Sequence, residues 1–287
     1  MRPHAPRELV DSLDPPGAAR IKDEPRTVVW REVSPSGEGR VAKLYRHRGW
    51  LTWLRSKAFR FRVERELRRL RHLEGWGVPV TPPLSWGAGW SREEGFHELL
   101  LMSELPEVVS LDQYMEAATQ EGRQGEISAG DPSPMDLAPL FRMVRRMHES
   151  GLCNQTLFAS NVLIRPATEP SEVDRFFLSD LPRSWVFPRS LLGARRALWD
   201  LLDLEYTLVR CGMSPEGAAL EAAREAYGVD ELSRRRREWL ERKREVDPRS
   251  KTRRGWRDVV ARIQWALAWL AVWKGRGRPA PSCTVRA

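Results

Sequence analysis

The chain has 287 residues, of which 41% are hydrophobic and 9% aromatic; this composition is that of a globular protein and excludes a disordered chain. Its 48 Lys and Arg against 39 Asp and Glu give a charge of +9, which indicates an acidic partner: nucleic acid, an anionic membrane surface or a phosphorylated ligand. A solvated basic surface explains the same charge equally well. Three cysteines without C-x-x-C spacing predict neither a zinc site nor a disulfide framework, so we expect a reducing cytosol. The N-terminus has no apolar signal region, and no apolar run is long enough to span a bilayer.

The N-terminal region predicts an irregular arm followed by a hairpin. Five prolines within residues 1–26 favour the irregular arm. Thr27–Val33 and Arg40–Tyr45 then have the composition of two strands, and Ser34–Gly39 is a turn. Lys43 lies on the returning strand. Such a lysine is ordinarily a surface residue, but V-A-K followed by an apolar residue is also how a kinase presents its phosphate-binding lysine.

A basic helix is predicted over residues 50–73. Ten Lys and Arg lie between Arg46 and Arg71, against two Glu. Val63, Leu67 and Leu70 mark one apolar face, and Glu66 lies on that face. An inward carboxylate needs a cation, for which Lys43 is the candidate, because unpaired buried charge is costly. A tolerated Glu at the edge of an apolar stripe is the alternative.

The segment His97–Pro106 predicts an apolar strand that stops at a proline, which suits a hinge between two lobes. An adenine base is expected to hydrogen-bond to backbone at Met102–Leu105. Further on, residues 119–134 are rich in Gly, Ser and Pro and predict a surface insertion. Met135–Glu149 then has the period of an amphipathic helix.

The stretch that follows this helix has the frame of a kinase catalytic loop, H-R-D-L-x-x-x-N. Asn161 stands where the metal-binding Asn belongs, and Leu157 keeps its place. Asn154 replaces the His, and Thr156 replaces the Asp that would accept the proton of the substrate. A hairpin is predicted from residues 161–164 and 176–178.

Asp180 closes the second strand of that hairpin, where an Asp is ordinarily a cap or turn former. The C-terminal third predicts helices. Asp200 and Asp203 in the apolar helix Arg195–Val209 are interpreted as structural, and the charged run Ser233–Arg244 as a solvated face. Trp256–Trp273 suits a helix at a lipid interface or, equally, a helix packed on the lobe.

In their order and spacing, these motifs resemble the lipopolysaccharide kinase family of the Kdo/heptose-kinase or InaA type, over roughly residues 21–227. The resemblance implies an α+β, protein-kinase-like bilobal fold, with a small antiparallel-sheet N-lobe and a mainly helical C-lobe. It also implies ATP- and Mg²⁺-dependent phosphorylation of inner-core sugars of lipopolysaccharide. The motifs that carry it are RVAKLY at 40–45, REL at 65–67 leading to GVP at 77–79, LLLMSELP at 99–106, the Asn161 loop and FFLSDL at 176–181.

Carried over residue by residue, the resemblance makes Lys43 the cation on the phosphates of the nucleotide and Glu66 its ion-pair partner. Asn161 and Asp180 become the metal ligands. The implied nucleotide-binding residues are Lys43, Met102, Glu104 and Leu105. Two features depart from the family pattern: no G-x-G-x-x-G precedes Thr27, where only Gly17 is available, and Thr156 occupies the place of the catalytic base.

We therefore expect an N-terminal arm over 1–26, an N-lobe over 27–105, a C-lobe over 106–250 and a Trp-rich basic helix and tail over 251–287. The expected function is phosphoryl transfer to a core sugar, slowed by Thr156, or else that of a nucleotide-binding or scaffolding pseudokinase. Expected partners are a lipopolysaccharide core sugar or lipid-linked glycan and an anionic membrane surface; nucleic acid is disfavoured, because no aromatic and basic reader motif is present. The expected location is cytoplasmic, peripheral on the inner membrane.

Overall fold

The computed structural model describes residues 19–34, 36–47, 49–51, 53–54, 61–92, 95–124, 135–166, 175–228, 231–246 and 263. The chain divides into two compact units. The first comprises Met1–Tyr114 and Ser160–Pro182, and the second comprises Met115–Ala159 and Arg183–Ala287. The Lys43 and Asp180 regions therefore belong to one unit, although 137 residues separate them along the chain.

The first unit is built on a five-stranded antiparallel sheet in the order β1-β2-β3-β5-β4. Its strands are β1 Ala19–Glu24, β2 Thr27–Val33, β3 Gly39–Arg46, β4 Pro83–Ser91 and β5 Gly95–Ser103. Alternate residues of neighbouring strands form one buried apolar cluster: Val28, Trp30, Ala42, Leu44 and Leu99. Because side chains alternate across a strand, Lys43 and Tyr45 lie on the opposite face.

Strand β1 corrects the prediction of an irregular arm for residues 19–24. These six residues contain no proline and pair with β2 in the register Glu24↔Thr27. Pro25 and Arg26 therefore form a two-residue hairpin turn. The remaining part of the arm, residues 1–18, lies outside the described residues.

Helix α1, Arg62–Gly75, follows β3 and contacts β4 and β5. Its buried residues are Val63, Glu66, Leu67, Leu70 and Leu73, so the predicted inward face, with Glu66 on it, is confirmed. Phe61, at its N-cap position, offers no side-chain cap. Instead, the buried carboxylate of Glu98 on β5 accepts a hydrogen bond from the Val63 N–H at 2.9 Å. This bond satisfies one of the N–H groups at the helix start that have no partner within the helix.

A second, three-stranded sheet completes the first unit in the order β6-β8-β9. Its strands are β6 Val109–Ser110, β8 Val162–Ile164 and β9 Phe176–Leu178. The predicted hairpin is confirmed, with Val162 paired to Leu178. Leu178 also forms a parallel bridge to Val80, and its N–H donates to the Pro79 carbonyl at 3.1 Å. These bonds fix the end of β9, and hence Asp180, beside the segment that follows α1.

The second unit is mainly helical. Its helices and strands, with helix α2 entering it from the first unit, are α2 Leu111–Gln124, α3 Ala138–Glu149, β7 Leu152–Cys153, β10 Trp185–Val186, α4 Arg195–Arg210, α5 Ala218–Tyr227 and α6 Glu231–Val246. Helix α3 packs against α5, and α6 packs against α4. The predicted amphipathic helix that delivers the chain to the loop is confirmed: α3 buries Leu140, Phe141, Val144 and Met147.

Within the residues that the structure describes, no helix combines the length and apolarity needed to cross a bilayer. The Trp-rich segment Trp256–Trp273 lies outside the described residues except for Ile263. Its assignment to a lipid interface or to the lobe therefore stays a prediction. The domain boundaries expected from the sequence likewise stay predictions.

Candidate active site around Lys43

Lys43 is the centre of a buried charged cluster in the first unit. Its Nζ lies 3.0 Å from Glu66 Oε1 and 2.5 Å from Asp180 Oδ1. Glu66 is fully buried, Lys43 is 8% exposed, and the Asp180 side chain is 35% exposed. One ammonium thus bridges a carboxylate of α1 and the carboxylate that follows β9. The predicted ion pair between Lys43 and Glu66 is present.

Tyr45 is a residue of this cluster that the sequence analysis missed. Its hydroxyl donates to Glu66 Oε2 at 2.9 Å, while Lys43 donates to Oε1. Both oxygens of the buried carboxylate are therefore satisfied, which such a group requires. The signal was in the sequence: Tyr45 stands two residues after Lys43, so the two side chains share a face of the strand. The guanidinium of Arg62 lies 4.1 Å from the centre of the Tyr45 ring and covers one face of that ring.

The environment keeps Lys43 charged. Burial by itself disfavours the ammonium, but attraction to Glu66 and Asp180 outweighs it and raises the pKa of Lys43 above its ordinary value. For Tyr45, burial and the neighbouring Glu66 carboxylate raise the pKa of the phenol. Tyr45 is therefore a neutral donor at physiological pH, and Lys43 is a fixed cation suited to an anionic ligand such as a phosphate.

Asn161 and Asp180 stand at the same end of the β8–β9 hairpin. Both the N–H and the hydroxyl of Ser179 donate to the Asn161 carbonyl at 3.2 Å, so the residue before Val162 and the residue after Leu178 stay together at the end of the hairpin. Among the described residues, no group of three or more His, Cys, Asp or Glu side chains is placed to hold a metal. One amide oxygen and one carboxylate fit Mg²⁺, which takes few protein ligands and completes its shell with phosphates and water.

The segment predicted to meet adenine lies at the end of β5. Met102 is buried and pairs with Val41, and the Ser103 and Glu104 N–H groups donate to the Pro82 and Gly39 carbonyls, each at 2.9 Å. The Glu104 carboxylate pairs with Arg31 Nε at 2.7 Å. Of the predicted positions, Met102 and Glu104 are therefore engaged within the sheet. The nucleotide-binding roles of Met102, Glu104 and Leu105 stay predictions.

Gly39, at the start of β3, lies against the Glu104 side chain. An added Cβ would meet Glu104 Oε2, the far end of a flexible side chain, so that a substitution at Gly39 would require this carboxylate to shift.

The loop with the catalytic-loop frame lies in the second unit and is held by Asp200. Asp200 Oδ2 accepts the Asn154 N–H at 2.6 Å, and Oδ1 accepts the Gln155 N–H at 2.7 Å. Asp200 is 1% exposed, and His148 Nε2 lies 3.2 Å from it. The sequence analysis interpreted Asp200 as structural. Its contacts confirm a structural role and show that the part of the chain it supports is the loop at residues 154 and 155.

The loop backbone is strained at one position. Gln155 has a φ of 62°, in the left-handed region that non-glycine residues seldom adopt. Such a conformation costs of order 1–3 kcal/mol and persists only where the surroundings impose it, as the two Asp200 hydrogen bonds do here. Thr156 follows directly and is half-buried, with its hydroxyl 3.4 Å from Asn154 Oδ1.

Comparisons with solved structures show the fold. The structure of WaaP in complex with acyl carrier protein is similar over 84% of this chain and 92% of that chain, with a TM-score of 0.59 and 20% identity. Rio2 kinase from Chaetomium thermophilum is similar over 84% of this chain and 76% of that chain, with a TM-score of 0.47 and 17% identity. The predicted fold class is confirmed: an α+β, protein-kinase-like fold with an antiparallel-sheet N-terminal part and a mainly helical C-terminal part.

Sequence comparison shows the family. No curated protein sequence is significantly similar to this chain. A sequence profile of the lipopolysaccharide kinase (Kdo/WaaP) family, however, matches residues 17–215, which is well over half of the chain. The profile covers Lys43, Glu66, the Asn161 loop and Asp180, on which the resemblance was based. The chain thus belongs to the lipopolysaccharide kinase (Kdo/WaaP) family and is a lipopolysaccharide-kinase-like protein.

Proposed function

We propose that the protein uses ATP and Mg²⁺ to phosphorylate a sugar hydroxyl of the lipopolysaccharide core or of a related lipid-linked glycan. The observation that carries this proposal is the position of the Lys43 ammonium between Glu66 and Asp180. Phosphoryl transfer depends chiefly on positioning and charge neutralisation. A permanently charged lysine, held by a buried carboxylate and next to a partly exposed one, supplies both.

Each residue has a separate task in this proposal. Lys43 neutralises negative charge on the phosphates, and Glu66 and Tyr45 hold its direction. Asp180, the most exposed member of the cluster, and Asn161, at the same end of the hairpin, would hold the metal. Held by these two residues, Mg²⁺ would supply positive charge that stabilises the negative charge on the phosphate oxygens.

Thr156 sets the rate in this proposal. A threonine hydroxyl cannot take up a proton at neutral pH, and a positioned general base contributes about 10²- to 10⁴-fold in rate. That loss corresponds to roughly 3–5 kcal/mol of barrier. The proposed enzyme is therefore slow, because it lacks the general base. Its remaining rate comes from electrostatic stabilisation of the transition state.

A nucleotide-binding pseudokinase is the second candidate, and two observations favour it. Thr156 removes the base. In addition, β1 and β2 are joined by Pro25 and Arg26 alone, and residues 19–33 contain no glycine whose backbone could close over phosphates. We further propose that the protein acts on the cytoplasmic side, at an anionic membrane surface, where a lipid-linked acceptor is found.

The test is a thermal shift with Mg·ATP on the wild type and on Asp180→Ala, each compared with its own nucleotide-free state. A ligand at 100 times its Kd stabilises by about 2.7 kcal/mol, so the wild type should melt several degrees higher. Asp180→Ala should lose that gain. Asp112→Ala, which removes an exposed carboxylate at the start of α2, is the control and should keep it. No shift of the wild type in millimolar Mg·ATP would contradict nucleotide binding and leave a scaffold.

A further inference from the structure

Four large apolar side chains are exposed at one end of the five-stranded sheet. Their exposed fractions are 58% for Trp50, 64% for Leu51, 48% for Leu54 and 59% for Trp90. At this end β3 finishes, β5 begins and β4 finishes, since His97 pairs with both Arg46 and Gly89. We call these four residues, Trp50, Leu51, Leu54 and Trp90, the apolar patch.

Three members of the apolar patch lie on one face of an anchored helical turn. Residues 50, 51, 53 and 54 are helical, and positions i, i+1 and i+4 of a helix fall within about 100° of one another. Trp53 lies on the inner side: its ring is 5.1 Å from that of Phe96 and 5.9 Å from that of Phe61. The backbone N–H of Trp53 donates to the Gly49 carbonyl at 3.2 Å. The three exposed side chains therefore lie on a turn that Trp53 fixes to the sheet.

The fourth member extends the same surface. Trp90 pairs across β4 and β5 with Phe96, and cross-strand partners project from the same face. Phe96 is the ring that Trp53 contacts. Trp90 therefore borders the anchor of the turn. Scattered exposed apolar residues are normal on proteins, but two Trp and two Leu grouped around the Trp53–Phe96 contact mark an interaction surface.

The sequence around the apolar patch is net cationic. From residue 46 to residue 62 it contains six Lys and Arg and no Asp or Glu, and beside Trp90 residues 92–94 add one Arg and two Glu, so the two segments carry charges of +6 and −1. Glu98, which accepts from Val63 and pairs with His47 at 2.7 Å, is fully buried and offers no negative charge to the surface. Exposed Trp and Leu within a net-cationic stretch are typical of an element that lies in the interface of an anionic bilayer.

We infer that the apolar patch docks on an anionic lipid surface, with its Trp and Leu side chains at the level of the headgroups, and that the net positive charge of the surrounding sequence attracts the anionic lipid. This inference deepens the proposed function, since a lipid-linked acceptor lies in such a surface. The lipid is favoured over a protein partner because Trp suits the headgroup region and each nearby Lys or Arg adds attraction to anionic lipid.

The test is co-sedimentation of the full chain with vesicles of phosphatidylcholine alone or with 30% phosphatidylglycerol, the latter at about 50 and 500 mM salt. The wild type should bind the anionic vesicles at least tenfold more strongly than the vesicles of phosphatidylcholine alone. Binding to the anionic vesicles should be weaker at about 500 mM salt than at about 50 mM salt. Trp50→Ser/Leu54→Ser should reduce it at least tenfold, while Trp50→Phe should retain most of it. Trp76→Ser removes a tryptophan of the same unit that is 49% exposed and should bind like the wild type.

Each alternative outcome overturns the inference. Unchanged binding of the double variant, with a melting temperature equal to that of the wild type, would assign the membrane contact to another basic surface. If the double variant fails to fold, Leu51→Ser alone decides the matter by the same comparison. Equal binding to neutral vesicles, absence of binding to either kind, or patch-dependent binding of an acidic protein in place of vesicles would contradict lipid docking. The thermal shift with Mg·ATP is measured on the same variants. Patch-dependent binding to vesicles without any thermal shift would contradict the proposed function and still support lipid docking by the apolar patch.

Discussion

At the scale of single residues, the charged cluster and the loop differ in what their side chains do. In the cluster, side chains make the chemistry: Lys43, Tyr45 and Glu66 satisfy one another, and removal of one partner of such a buried pair costs about 3–5 kcal/mol. In the loop, Asp200 binds the backbone N–H groups of Asn154 and Gln155. These two hydrogen bonds hold the loop backbone without using the side chain of residue 156.

The first residue-scale prediction concerns Thr156. Thr156→Asp should raise phosphorylation of a core-sugar acceptor, or ATP hydrolysis, by about 10² or more, because it restores a base on a loop that Asp200 already holds. Thr156→Ala should match the wild type, since the hydroxyl does not act as a base. The measurement is the turnover of purified protein with labelled ATP. Lys43→Ala is the negative control and should abolish any rate. An Asp variant that binds Mg·ATP yet gains no turnover would favour the pseudokinase.

Residue-scale features were predictable from the sequence where a motif or a period carried them. Lys43 and Glu66 were singled out because V-A-K on a strand matches the kinase pattern and an inward carboxylate needs a cation, and their ion pair is present. The role of Asp200 was not predictable. It acts on backbone N–H groups that lie 46 and 45 residues away, and no sequence period reports such a contact.

At the scale of elements, helix α1 depends on the sheet for its start. Its N-cap residue Phe61 has no oxygen to offer, and Glu98 of β5 supplies the missing acceptor to Val63. The same carboxylate pairs with His47. One buried side chain therefore joins β5, the first turn of α1 and the segment that leads to the apolar patch.

Glu98→Ala should destabilise the protein by about 2–4 kcal/mol, because it leaves the Val63 N–H without its acceptor and removes the partner of His47. Guanidinium unfolding followed by circular dichroism measures this loss. Glu64→Ala is the matched control on α1: its pair with Arg68 is an exposed i,i+4 contact worth about 0.3–0.5 kcal/mol. Equal effects of the two substitutions would show that Glu98 does not carry the helix start.

Element boundaries followed from the sequence where periodicity was strong. The amphipathic helix α3, the inner face of α1 and the β8–β9 hairpin are confirmed. Strand β1 was missed because the prolines on either side of it dominated the local pattern, and because all six of its residues are exposed. A strand without a buried face shows no alternation, so only its pairing with β2 defines it.

At the scale of the whole molecule, the reactivity of the Cys153 thiol reports on whether the second unit is folded. The thiol is buried, and burial together with the nearby Asp200 carboxylate raises its pKa to about 12. With a folded pKa above the unfolded value, the stability contribution of the neutral thiol persists through neutral pH and is lost as the pH rises through about 12. At pH 8 the native thiol is therefore protonated and unreactive.

In a Cys211→Ser/Cys283→Ser background, we expect Cys153 to react with a maleimide or disulfide reagent at pH 8 at least about 10³-fold more slowly in the folded protein than in denaturant. Mass spectrometry of timed samples measures the rates. A parallel measurement on the wild-type chain gives the comparison, because Cys211, which is half-buried, should react earlier there than Cys153. Labelling of Cys153 at the unfolded rate in native buffer would mean that the second unit opens independently at low cost.

The backbone hydrogen bonds of Asp200 also separate two properties of the loop. The N–H groups of Asn154 and Gln155 are held by a side chain of another element, so these two bonds need no aspartate at position 156. One and the same fold can therefore carry either a base or a hydroxyl at that position. Possession of the fold consequently does not tell whether a protein catalyses, and activity must be assayed one protein at a time.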